Sequence, residues 1–147
     1  MRVTTTARVA APREAVFAAL VDPTVLQRAI PGCESLTASG PDTFEAQLKI
    51  GVAGLKGSYR GTVRLKDRRP SEFIGLEFDG KGAPGFVRGS ALIQLLDEAG
   101  TTRVESQADV QVGGVIAAVG SRLIDAAARK LADDFFRQLT TELSASQ

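Results

Sequence analysis

Over residues 34–114 apolar side chains recur at every second position, and over residues 115–143 that spacing changes to three or four. A period of two belongs to extended strands with one wet and one dry face, and a period near 3.6 to a helix with one apolar stripe. Phe44, Ala46, Leu48, Ile50 and Val52 form one alternating run. Tyr59, Gly61, Val63 and Leu65 form a second against Arg60, Thr62, Arg64 and Lys66. Val104, Ser106, Ala108, Val110 and Val112 form another against Arg103, Glu105, Gln107, Asp109 and Gln111. Turn-forming clusters at Gly40-Pro41-Asp42 and at residues 67–70, 79–85 and 97–100 divide the region into about six strands. One-sided strands joined by short turns predict an antiparallel meander with one solvated surface.

The flanking segments complete the order of elements. Residues 2–10 alternate Val3, Thr5, Ala7 and Val9 with more polar neighbours and predict strand one. Pro12, at a first-turn position, with Val16, Phe17 and Leu20 predicts a short helix. Asp22-Pro23 ends it and starts a second, carrying Val25, Leu26 and Ile30, which Pro31-Gly32 terminates. Ile116, Gly120, Leu123, Ile124, Ala127, Leu131, Phe135 and Leu139 then lie on one stripe of a long C-terminal helix spanning residues 115–143, on the order of 40 Å. The expected fold is α+β, a single domain over residues 1–147 in which a curved seven-stranded antiparallel sheet grips that helix, with two short helices after strand one.

A helix about 10 to 12 Å across cannot fill the concave face of seven strands, so an apolar cavity on the order of 300 to 1,000 Å³ is expected. Leu48, Ile50, Tyr59, Val63, Leu76, Phe78, Phe86, Ala108 and Val110 are its candidate lining from the sheet. Ile116, Val119, Gly120, Leu123, Ile124 and Ala127 are the candidates from the helix. Inward small residues, Ala46, Gly61, Ala108, Gly120 and Ala127, either enlarge the space or let helix and sheet close it.

Composition removes whole classes of chemistry. The 147 residues contain no histidine, so the commonest metal ligand and the side chain best suited to proton transfer at neutral pH are both missing. One cysteine, Cys33, forms neither a thiolate–imidazolium pair nor a cysteine-rich zinc site. No metal or covalent cofactor is therefore expected. Asp133-Asp134 are helix neighbours that point apart and read as a solvated face. With 18 basic against 17 acidic residues and no basic run interleaved with aromatics, nucleic acid is not an expected partner.

The glycines of residues 82–89 lack phosphate-loop spacing; they and Gly113-Gly114 read as tight turns or as the mouth of the cavity. Tyr59, the single tyrosine, points inward and needs a hydrogen-bond partner: a ligand carbonyl, a backbone carbonyl or a water. Lys56 and Arg88 lie near turns, either solvated or within reach of a polar headgroup. The start, MRVTTTARVA, has no apolar signal core, and the apolar stretch at residues 115–120 is too short for a bilayer, so a cytoplasmic protein is expected.

Asp22-Pro23, Leu26 and Ile30-Pro31-Gly32-Cys33-Glu34 resemble the N-terminal motif of the carbon monoxide dehydrogenase CoxG family. Lys56-Gly57 with Tyr59 and Gly61, Gly85-Phe86 with Gly89, Val112-Gly113-Gly114 with Ile116-Ala117, Gly120, Arg122-Leu123-Ile124 and Phe135-Phe136 match in the same order. The resemblance implies the START-like, polyketide-cyclase-like superfamily of helix-grip ligand carriers. It further implies a molybdenum-containing carbon monoxide dehydrogenase as partner and a respiratory quinone, menaquinone, as cargo. Quinone would be taken from the membrane at its cytoplasmic face, presented for reduction and returned, with the redox chemistry belonging to the dehydrogenase and the quinone. Some members carry a membrane-binding tail beyond the long helix; here the chain runs only from Ser144 to Gln147 after it, so transient membrane contact, or a tail outside this sequence, is expected. Two other readings stand beside the carrier: an adaptor that recruits the dehydrogenase without cargo, and a cofactor-free cyclase using Tyr59, against which the missing histidine counts.

Overall fold

The alternating segments pair into one sheet in the structure, a computed structural model that describes residues 1–145. Strand β1 (Arg2–Val9) leads into helices α1 (Arg13–Leu20) and α2 (Pro23–Ala29). Six strands follow: β2 (Cys33–Gly40), β3 (Thr43–Ile50), β4 (Gly57–Arg69), β5 (Phe73–Gly82), β6 (Gly85–Glu98) and β7 (Thr101–Gly113). A 3-10 turn (Val115–Val119) and helix α3 (Ser121–Ala145) follow. The sheet is antiparallel throughout, in the order β1-β7-β6-β5-β4-β3-β2, so every pairing joins consecutive strands except that of β1 with β7.

Local chemistry sets the helix starts. The Asp22 carboxylate accepts a hydrogen bond from the Thr24 amide at 2.9 Å, and Pro23 takes a first-turn position where no amide proton is needed. Pro12 lies one residue earlier than its spacing predicts, as the extended cap of α1 (φ −69°, ψ 157°). The fully buried Thr102 hydroxyl donates to the Ala11 carbonyl at 2.7 Å and ties this entry to β7.

Two apolar clusters form. The main one gathers Val9 from β1, Val16 and Leu20 from α1, Ile74, Leu95 and Val104 from the sheet, and Phe136 and Leu139 from α3. A second joins Ile50, Tyr59 and Ile116, with Leu48, Leu55, Val87, Val112 and Leu131 packed against them.

Further details differ from the sequence expectation. The C-terminal helix begins at Ser121, not at residue 115, because Gly120 adopts φ +93°, a left-handed conformation that ends the 3-10 turn. A 3-10 turn places side chains every three residues, close enough to helical spacing to hide the break. The stripe is also rotated: Phe136 is the buried member of the edge-to-face pair with Phe135, and Leu123 is exposed. Residues 79–82, expected in a turn, belong to β5, and the hairpin loop is only Ala83-Pro84. Strand backbones approach closely there; a Cβ on Gly82 would lie 2.0 Å from the Ser58 carbonyl oxygen, which explains glycine inside a strand.

Because Leu139 is fully enclosed, Leu139→Ala is expected to lower unfolding free energy by about 2–5 kcal/mol, whereas Val115→Ala, three-quarters exposed, changes it by less than about 0.5 kcal/mol. Urea unfolding followed by far-ultraviolet circular dichroism measures both.

Candidate functional site: an apolar face beneath the long helix

Cross-strand register puts three inward-facing rows side by side. Val63, Phe78, Gly89 and Val110 form one; Ala46, Gly61, Gly80 and Val87 the next; Leu65, Leu76, Ala91, Ala108 and Val3 a third. The middle of the face thus carries small residues, Gly61, Gly80, Gly89, Ala91 and Ala108. Most apolar side chains around them, Val63, Leu76, Phe78, Val87 and Val110, are half-buried, whereas those nearer the α1–α2 side, Leu65, Ile74, Leu95 and Val104, are buried. Helix α3 packs closely against β1 and α2, and its Arg129 guanidinium donates to the Thr4 carbonyl at 2.7 Å, fixing the helix to the edge of the sheet.

Apolar grooves open on both flanks of α3. One of about 490 Å³ is lined by Pro31, Ile50, Val52, Ala53 and Leu131. Another of about 480 Å³ is lined by Met1, Phe86, Val110, Val112, Ala117 and Ile124. A wider depression of about 1020 Å³ lies on the opposite face, over Ser35, Glu45, Gln47, Ser58, Arg60 and Asp79. Its alternating charged and hydroxyl side chains suit solvent, so the apolar site is the one under α3.

The candidate residues divide accordingly. Ile50, Tyr59 and Ile116 come together in the second cluster with Leu48 against them, while Val63 and Leu76 pack on the edge of the main one. Phe78, Ala108 and Val110 lie half-buried on the inward face, and Ile124 and Ala127 are buried on α3. Phe86 borders the second groove with Val110 and Ile124 but does not lie on the inward face. The two-residue hairpin pairs Gly82 with Gly85 and so turns Val87 inward and Phe86 outward, where its ring covers Gly113 and lies under the Arg88 guanidinium at 5.1 Å. Val119 and Leu123 are 40% and 42% exposed, and a Cβ on Gly120 would meet open space. These three sit at the free end of α3, outside the enclosed face.

The Tyr59 hydroxyl donates to the Leu55 carbonyl at 2.8 Å, so a backbone carbonyl is the partner its buried position requires. Burial alone pushes its pKa up. Burial also raises the pKa of the Cys33 thiol, outweighing a smaller lowering by the Ser35 backbone, and the thiol donates to the Ser35 carbonyl at 3.4 Å, so it stays protonated and a poor nucleophile. Among the described residues no three His, Cys, Asp or Glu side chains gather as a metal site, and no helix is long and apolar enough to cross a membrane.

Thr5 and Ser106 were not among the candidates. They stand directly opposite each other on β1 and β7, half-buried on the inward face, and neither hydroxyl has a protein acceptor among the described residues. A polar residue on the dry side of an alternating strand is the signal that marks them.

The sequence matches the pattern of the carbon monoxide dehydrogenase CoxG family over residues 6–144. A conserved protein from Geobacillus kaustophilus has a crystal structure with TM-score 0.95, 32% identity, and coverage of 99% of this chain and 97% of its own. A START superfamily protein from Mycobacterium smegmatis shares the fold at TM-score 0.79 and 12% identity, covering 99% of each chain. No curated protein sequence matches the chain.

Since Tyr59 is the single tyrosine and there is no tryptophan, its ionisation is read directly by ultraviolet absorbance. The folded state holds the phenolic proton more tightly than the unfolded state, so Tyr59 leaves stability unchanged below the ordinary value of 10.0 and lowers it as pH rises through that value towards the folded pKa. Tyrosinate in the native protein is expected to appear only above the ordinary range. Onset at or below that range contradicts the closed environment described here.

Proposed function

The chain belongs to the carbon monoxide dehydrogenase CoxG family, and from that premise we propose that it is a non-catalytic carrier of a hydrophobic small molecule. The cargo in this reading is a prenylated respiratory quinone such as menaquinone. The carrier takes it from the cytoplasmic face of the membrane and presents it to a molybdenum-containing carbon monoxide dehydrogenase. The observation that carries the reading is the half-buried inward face, Val63, Phe78, Val87 and Val110 around the small residues Gly61, Gly80, Gly89 and Ala108. Apolar side chains left partly uncovered beneath a helix supply the surface that an apolar ligand would cover.

Transfer energetics agree with a shuttle. Removing an isoprenoid chain from water gains about 25 cal/mol per Å². Moving it from lipid into an apolar site is close to neutral, since both surroundings are apolar, so loading and release are both accessible. Selectivity then rests on the headgroup. Quinone carbonyls only accept hydrogen bonds, and the Tyr59 proton is already committed to Leu55. Ser106 and Thr5 supply the free donors on the inward face, while Leu48, Ile50, Ile116, Ile124 and Ala127 contact the apolar portion.

Organic extraction of the purified protein followed by mass spectrometry is expected to release a prenylated quinone. Ser106→Ala is expected to weaken quinone binding about two- to tenfold, the worth of one hydrogen bond. Ala108→Leu, which fills the space, is expected to abolish binding while leaving the fold intact by circular dichroism. Copurification with the dehydrogenase in the absence of any extractable or saturably bound lipid would instead establish the cargo-free adaptor.

A further inference from the structure

Three segments far apart in sequence meet at one end of the molecule: residues 49–58, 81–90 and 110–124. Gly57 lies against the Pro84 ring, the Ile116 amide donates to the Pro84 carbonyl at 2.9 Å, and Gly54 lies against the Leu123 side chain. Together they carry five basic residues, Lys49, Lys56, Lys81, Arg88 and Arg122, and no Asp or Glu, with Asp79 opposite Arg88 and Asp125 next after Ile124 as the acids at their border. The remainder of the chain holds thirteen basic and seventeen acidic residues, so a net charge of +1 conceals an uneven distribution. All five cations are exposed, and among the described residues none is in an ion pair.

The same end gathers exposed aliphatic side chains. Val115 is 75% exposed, and Leu123 and Val119 are 42% and 40% exposed. Met1 borders the groove beside Ala117, so Leu92 is the one exposed large hydrophobic among the described residues that lies elsewhere. Both apolar grooves along α3 open here, one past Val52 and Ala53, the other past Val112 and Ala117.

We infer that this end docks on an anionic lipid bilayer, with Val115, Val119 and Leu123 entering the interface and the five cations lying at headgroup level. Aliphatic tips ringed by unpaired cations suit shallow insertion into an anionic surface. A protein partner would call for the aromatic anchors that dominate such contacts, and the exposed large hydrophobics here are aliphatic. Docking at this end rests on the carrier reading, since a carrier must reach its lipid source, and adds the surface and orientation that do so. The grooves then face the bilayer, and cargo crosses without passing through water.

Vesicle flotation with phosphatidylcholine alone and with phosphatidylcholine–phosphatidylglycerol mixtures tests this on the whole chain. The native protein is expected to float with the anionic vesicles only, and less at high salt. Lys56→Gln and Arg122→Gln are each expected to lower binding about fivefold. Val115→Asp is expected to lower it about tenfold. Leu92→Asp, away from this end, is expected to leave it unchanged. Equal binding by native and Val115→Asp proteins, equal loss in Leu92→Asp, or no anionic binding at all overturns the assignment. So does binding of the purified dehydrogenase that disappears in these variants while vesicles are ignored. Retention of added quinone in vesicle-free solution, measured in parallel, separates the two readings: loss in the native protein refutes the carrier, and retention by Val115→Asp with failed flotation supports docking at this end.

Discussion

Phe136 and Leu139 of α3, buried in the cluster that also holds Val9, Leu95 and Val104, make the contact on which the rest of the molecule depends. It engages the C-terminal half of the helix, and the Arg129–Thr4 hydrogen bond holds the helix to the edge strand rather than to the centre of the sheet. The N-terminal half is buried at Ile124 and Ala127 but leaves Leu123 exposed. An amphipathic helix lying along the middle of the sheet would close the face beneath it; one held along the β1 edge and against α2 leaves apolar surface for something else.

The sheet contributes the other half of that arrangement. Gly61, Gly80 and Gly89 give up side-chain contacts at positions where a strand normally gains them, which weakens local packing. Fully enclosed residues compensate on the α1–α2 side, where Val16, Ile74, Leu95 and Val104 are buried. The molecule thus separates the part that stabilises the fold from the part available for binding.

Much of this was legible from residue types alone. Alternation along β3, β4 and β7 identified the inward side chains, and Asp22-Pro23 marked the start of α2 through its cap. The break at Gly120 was hidden because 3-10 and α spacing nearly coincide over a few residues. That Phe86 borders a groove from the outward side of its strand was not visible, since a strand's facing depends on the hairpin before it and glycines at 80 and 82 resembled a long turn. Thr5 and Ser106 interrupt otherwise apolar faces, and an isolated strand does not show that they stand opposite each other. The basic end was least visible, since its cations are scattered through three segments and cancelled in the total.

The order of the sheet also bears on how the chain reaches its native state. Five of the six strand pairings join neighbours in sequence and can form as local hairpins, but β1 must wait for β7, with Arg2 opposite Asp109. Closing so long a loop is entropically demanding, and pairings of this kind slow folding. During synthesis the first strand emerges with an unpaired edge and keeps it until the seventh follows. Since α3 comes later still and packs on β1, an element made late secures one made early.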